Sequence, residues 1–153
     1  MLFQLGLFFH IIGVISLSGG TVGNMIVQSI FWKNINESAE TRRKLIPFMI
    51  ALPLVIIFSM IFQLASGLLM LSAVEWAFIG QRWFTIKIIL YVVGFMNGIL
   101  VAKPTNKKIV QQAASPSPDR KLLAALKKKM DLFHIVQYTL LILLIVMAIF
   151  KIK

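Results

Sequence analysis

Four stretches of this chain are long, apolar and almost free of charge: Met1 to Trp32, Leu45 to Val74, Trp83 to Ala102 (interrupted only by Lys87) and Leu132 to Phe150. A helix needs about 20 apolar residues to span hydrocarbon, and each stretch supplies enough. Nothing else in the sequence constrains the fold as tightly, because a backbone in lipid must satisfy its own hydrogen bonds and single apolar runs do so as helices. We expect an all-α integral membrane protein, a four-transmembrane-helix bundle with spans near 8–32, 45–74, 83–102 and 132–150. In 153 residues this leaves one membrane domain and no soluble module. The composition agrees: only 14% of residues are charged and 59% are hydrophobic, against about 25% charged in soluble domains. No Lys or Arg precedes the first apolar run, so that run is expected to be a retained span and not a cleaved leader.

Charge fixes the expected orientation. The 33–44 connection carries Lys33, Arg42, Arg43 and Lys44, and the 103–131 segment carries Lys103, Lys107, Lys108, Arg120, Lys121, Lys127, Lys128 and Lys129. The 75–82 turn has only Arg82, and the C-terminal tail has Lys151 and Lys153. The positive-inside rule puts both basic connections in the cytoplasm and both termini outside. The net charge of +11 is then a property of topology and of anionic lipid, and no nucleic-acid partner is expected, since the basic segment lacks interleaved aromatics. Within 103–131, the Ser115-Pro116-Ser117-Pro118 stretch breaks helix, and Asp119 is placed to cap a helix from Arg120 to Met130. Leu122, Leu123 and Leu126 share one side of that helix, which suits a position on the membrane surface or a protein partner.

Zero cysteines exclude disulfides, a zinc ribbon and a cysteine nucleophile, and no span contains Asp or Glu, which argues against a carboxylate proton relay. The ionisable residues left at membrane depth are His10, Lys87 and His134. Ionisable groups there are costly and mark functional sites. With both termini outside, His10 lies about two turns from the outer end of the first span, and Lys87 about one turn into the third. They share a depth, whereas His134 belongs to the opposite face, at headgroup level.

Helical spacing assigns faces. From His10, steps of three or four residues pass through Gly13, Leu17, Thr21, Asn24 and Gln28. From Lys87 the same walk gives Trp83, Tyr91, Gly94 and Gly98, with Asn97 beside it, and the second span offers Ser59, Gln63, Ser66 and Gly67. Three polar, small-residue stripes are expected to turn inward and leave Leu, Ile and Phe to lipid. Gly19 and Gly23 form a Gly-x-x-x-Gly pair suited to close helix packing, and Pro53 is expected to be relieved by a neighbouring helix. A neutral imidazole on a glycine-lined face, with a lysine at its depth, suits haem: His10 as axial metal ligand, Gly13 and Tyr91 beside the macrocycle, and Lys87 on a carboxylate. Glu75 competes as a partner for Lys87.

The residues also carry a resemblance. Phe9-His10-Ile11-Ile12-Gly13-Val14-Ile15-Ser16, Glu40-Thr41-Arg42-Arg43-Lys44-Leu45, Pro53, Gly67-Leu68-Leu69 and Trp83-Phe84-Thr85-Ile86-Lys87 stand in the order found in HemJ, the four-helix membrane protoporphyrinogen oxidases of bacteria. The likeness covers about residues 8–103. It implies b-type haem held by His10, a catalytic role for Lys87, oxidation of a porphyrin substrate with electrons passed to a membrane acceptor such as quinone, and residence in a bacterial inner membrane. The His10-x(8)-Gly19-Gly20 spacing is similar to that of CopD-like permeases. A non-catalytic subunit or assembly factor that docks a protein partner through 103–131 fits the same composition.

Overall fold

The computed structural model describes residues 1–150; the basic tail residues Lys151 and Lys153, counted above for orientation, lie outside the described residues. It is all-helical, with four helices long and apolar enough to cross a membrane. The elements are α1 (Leu2–Lys33), α2 (Ala39–Ala73), α3 (Arg82–Asn97), a wider π-helical turn (Gly98–Ala102), α4 (Lys103–Ala114) and α5 (Arg120–Phe150). Ile, Leu, Val and Phe side chains stand exposed along every span, as a lipid-facing surface requires.

Three helix boundaries have a clear local cause. At the start of α2 the Ser38 Oγ accepts from Thr41 N–H at 3.2 Å, with Glu40 in the first turn. Asp119 caps α5 as expected, its carboxylate accepting from Lys121 N–H at 2.8 Å and Leu122 N–H at 3.1 Å. The turn between α2 and α3 passes through left-handed backbone at Glu75 (φ 50°), Trp76 (φ 63°) and Gly80 (φ 91°). Two consecutive non-glycine residues there are uncommon, and the bend lets Trp76 N–H close on Leu71 O at 3.1 Å to finish α2.

α1 and α2 pack along their length as an antiparallel pair, α3 lies against α5, and α4 packs on α2 and α5. The glycines that bring α1 to α2 are Gly6, Gly13 and Gly20, spaced by seven. A Cβ on Gly13 would stand 3.2 Å from Gln63 Cβ, and one on Gly20 3.1 Å from Ile56 Cγ1. Gly19 has open space around it, and Gly23 only ordinary contact with Leu52. The packing expected of the Gly19/Gly23 pair therefore falls to the neighbouring heptad, because the α1–α2 seam follows the 3.5-residue period of a left-handed pair.

The 103–131 segment keeps the expected break and the expected helix from Arg120 but places the apolar side of that helix differently. Only 115–119 is non-helical; α4 continues the third span, and α5 is one helix from Arg120 into the fourth. At 1.5 Å per residue the 33 residues from Arg82 to Ala114 run about 50 Å, roughly 20 Å more than the hydrocarbon needs. The surplus is folded. Phe31, Met49, Ile109, Ala113, Leu123, Leu126, Met130 and Phe133 form the main apolar core, at the basic end of the bundle. Leu123 and Leu126 thus face protein, not lipid headgroups, and only Leu122 of the three keeps substantial exposure.

Candidate functional site

The stripe predicted on α1 does turn inward: Gly13, Leu17, Thr21, Asn24 and Gln28 are all buried. Ser59 and Ser66 on α2 are buried as well, and Trp83, Lys87 and Tyr91 on α3 are half-buried. The expected cleft beside the glycines is filled, however. α2 occupies the glycine face of α1, so Gly13 is a helix contact and lines no open space. Tyr91 is likewise committed, its hydroxyl donating to the Met60 carbonyl of α2. What remains at the centre of the four helices is a narrow crevice of about 10 Å³, room for one water, between Leu17, Thr21, Met60, Tyr91, Gly94 and Gln137.

His10 is half-buried one step from this seam. Its Nδ1 lies 3.2 Å from the Gln63 carbonyl and 3.1 Å from Ser66 Oγ. The Ser66 hydroxyl itself donates to the Gln63 carbonyl at 2.9 Å. With that hydroxyl proton spent, both oxygens accept, so Nδ1 is the protonated nitrogen. Nε2 is then a bare lone pair and has no partner among the described residues. The hydrogen bonds of Nδ1 fix the ring's plane and tautomer.

Lys87 is half-buried on α3. The competing ion pair with Glu75 is not formed; Glu75 is exposed in the turn, and the ion pairs among the described residues are Lys44–Glu40 and Lys127–Asp131. A half-buried ammonium without a carboxylate is a poor structural element and a good anion site. Trp83, one turn earlier, packs edge-on against Phe78 at 5.4 Å and donates to Gln81, which ties it to the turn as an interface anchor.

His134 is separate. It is 8% exposed, packed beside Phe133 and Tyr138 in the basic half of the bundle, with Nε2 buried and unpaired. It lies at the basic end of the bundle, as expected, and its side chain faces the interior because α5 turns Phe133 and His134 toward the core.

Five polar contacts were not legible in the sequence. Arg42 is 5% exposed and donates to the Glu37 carbonyl and, at 3.2 Å, to the Ser115 carbonyl, while Arg43 reaches Ala114 O at 3.1 Å. Two residues counted as topological charge therefore clamp the end of α4. Asn106 Nδ2 donates to Met49 O at 2.7 Å, the carbonyl that Pro53 cannot bond. Asn97 Nδ2 meets Gln137 Oε1 at 3.4 Å and links α3 to α5. Only the Pro53 prediction pointed to a donor, without naming it.

An all-helical chain with four helices long and apolar enough to span a membrane, and with large apolar side chains over its outer surface, is an integral membrane protein in contact with lipid. Residues 5–152 match the model of the family described as "Predicted integral membrane protein (DUF2269)", and the chain belongs to that family. No curated protein and no solved structure matches it.

Proposed function

We propose that this chain is a haem b-binding protein of a bacterial inner membrane, with its basic end in the cytoplasm and a redox role resembling that of HemJ. One observation supports this above the others: His10 Nδ1 is anchored on the Gln63 carbonyl and Nε2 is free; Lys87, half-buried on α3, has no acidic partner among the described residues. Among the described residues no three of His, Cys, Asp and Glu gather as a metal-binding set. A single imidazole serves best a metal that brings its other donors with it, as a porphyrin does, while the crevice of about 10 Å³ at the centre of the bundle is too small to hold the macrocycle itself.

In this reading His10 would hold the group through its free Nε2. Bound haem would contribute one-electron chemistry at the outer half of the membrane. Gln63 and Ser66 keep the imidazole in the Nδ1–H tautomer and fix its plane. Lys87 neutralises a carboxylate of haem or of a porphyrin substrate in low dielectric, where an unpaired anion is costly. Gly13 and Tyr91 act indirectly: one sets the α1–α2 spacing, and the other pins α3 to α2 at Met60.

The test is a haemin titration of the purified protein in detergent. Wild type should give a saturable Soret shift, His10→Ala should lose it, and added imidazole should restore it to the variant. Lys87→Met should keep the band position and weaken binding about tenfold, the loss of one charge-assisted contact. A shift that His10→Ala leaves intact would remove His10 as ligand. A folded protein that gives no shift at all favours the non-catalytic subunit instead.

A further inference from the structure

α1 and α5 run antiparallel, and their register is set at two places. The Tyr138 hydroxyl donates to the Thr21 carbonyl at 3.3 Å. Two turns nearer the basic end on both helices, Gln28 and Asp131 line one open cleft of about 410 Å³, and Trp32 and Lys127 line it one turn further on. His134 lies between Tyr138 and Asp131 on α5, as Asn24 lies between Thr21 and Gln28 on α1. Its ring packs beside Tyr138, which places it opposite α1 at the level of Asn24 and Gln28. All three side chains are buried. Asn24 Oδ1, both polar atoms of the Gln28 amide and His134 Nε2 are sealed from the cleft and have no hydrogen-bond partner.

So many unpaired polar groups in one dry seam disfavour this arrangement against any that admits water. Gln28 is the one of the three that also borders the cleft, and its side chain is long and flexible. Turning about its own bonds carries the amide into the cleft water without moving either helix. We propose that the α1–α5 seam is a gated water entry from the basic end, closed here, with Gln28 as the gate and His134 as the group behind it. When Gln28 turns outward, water from the cleft reaches the imidazole, which then exchanges protons with the solution at that end. The charged groups along the route are Lys33 on α1 and the Lys127–Asp131 pair on α5. Thr21, Asn24 and Gln28 are uncharged, Tyr138 is the ionisable neighbour on α5, and Lys103, Lys107 and Lys108 of α4 are exposed. Lys87 and Tyr91 of α3 lie toward the opposite end of the span, and Arg42 of α2 is taken up by carbonyls.

His10 and His134 are the two histidines of the chain, so acylation by diethyl pyrocarbonate, followed by peptide mass spectrometry on the full-length protein in nanodiscs, reads access to each. The measured quantity is the rate at His134 relative to that at His10. Gln28→Leu keeps the bulk of the gate and removes the amide that gains from reaching water. Wild type should label at His134 about tenfold faster than Gln28→Leu, the effect of an open state populated at some per cent. Gln28→Ala, which has no gate to turn, should label faster than wild type. Ser29 is an exposed cleft residue, and Ser29→Trp added to Gln28→Ala should slow His134 again by filling the way in. Three results would overturn the proposal: equal relative rates in wild type and Gln28→Leu, a His134 that stays unlabelled in Gln28→Ala, or labelling of Gln28→Ala that Ser29→Trp leaves unchanged.

Discussion

Two side chains carry more structural weight than their types announce. Asn106 supplies the hydrogen that Pro53 denies to Met49 O, in a region where Met49 is fully buried. Asn106→Leu should lower stability by about 1–2 kcal/mol, while Asn36→Ala, at an exposed position, should be neutral within experimental error. Equilibrium unfolding in mixed detergent micelles measures both. Arg42 is a second case, since its guanidinium serves carbonyls from two connections. Arg42→Lys should fail to rescue, because one ammonium cannot reproduce the planar fork, and should cost about 2 kcal/mol in the same assay. His10 could be picked from the sequence because an imidazole at membrane depth is rare. Its anchor was harder to see: Gln63 and Ser66 were on the predicted stripe, yet their pairing with His10 depends on the register of two helices, which composition does not encode.

At the scale of helices, register is set by glycine spacing. Gly6, Gly13 and Gly20 repeat every seven residues, and α2 approaches closely at each. The rival pair Gly19 and Gly23 has the better-known motif but faces open space or loose contact. Gly13→Leu should cost about 1–3 kcal/mol by overpacking against Gln63, and because Gln63 also holds His10, it should disturb haem binding as well. Gly19→Ala should be neutral or stabilising by up to about 1 kcal/mol, through helix propensity alone. Equal effects at the two positions would mean that the α1–α2 seam runs elsewhere. The helical course of 103–131 was half legible. The Ser-Pro-Ser-Pro break and the Asp119 cap could be read directly, whereas the burial of Leu123 and Leu126 needed α4 and the end of α1 as partners, and nothing local distinguishes such partners from a membrane surface.

For the whole molecule, four apolar stretches and the distribution of lysine and arginine sufficed to define an all-helical membrane bundle, because lipid leaves so few solutions. The core was not legible. It lies at and beyond the ends of the apolar stretches, at the basic end, where four elements converge on Phe31, Met49, Ile109 and Met130. Inside lipid, apolar side chains gain little by meeting each other, so the densest apolar packing forms where water would otherwise reach. Orientation follows from charge and can be checked with the absence of native cysteine. In intact cells, Ser117→Cys should resist a membrane-impermeant maleimide, and Ala77→Cys, in the α2–α3 turn, should react. Reversed labelling would invert the molecule and move the His10 site to the cytoplasmic half.

The most direct measurement of the central claim is the dithionite-reduced minus oxidised absorption spectrum of the protein purified from its membrane in mild detergent, alongside His10→Ala. Sharp b-type bands in wild type, absent from an equally monodisperse His10→Ala, are the predicted result. A wild-type sample that is folded, monodisperse and colourless when purified from haem-replete cells, or bands that persist undiminished in His10→Ala, would contradict it.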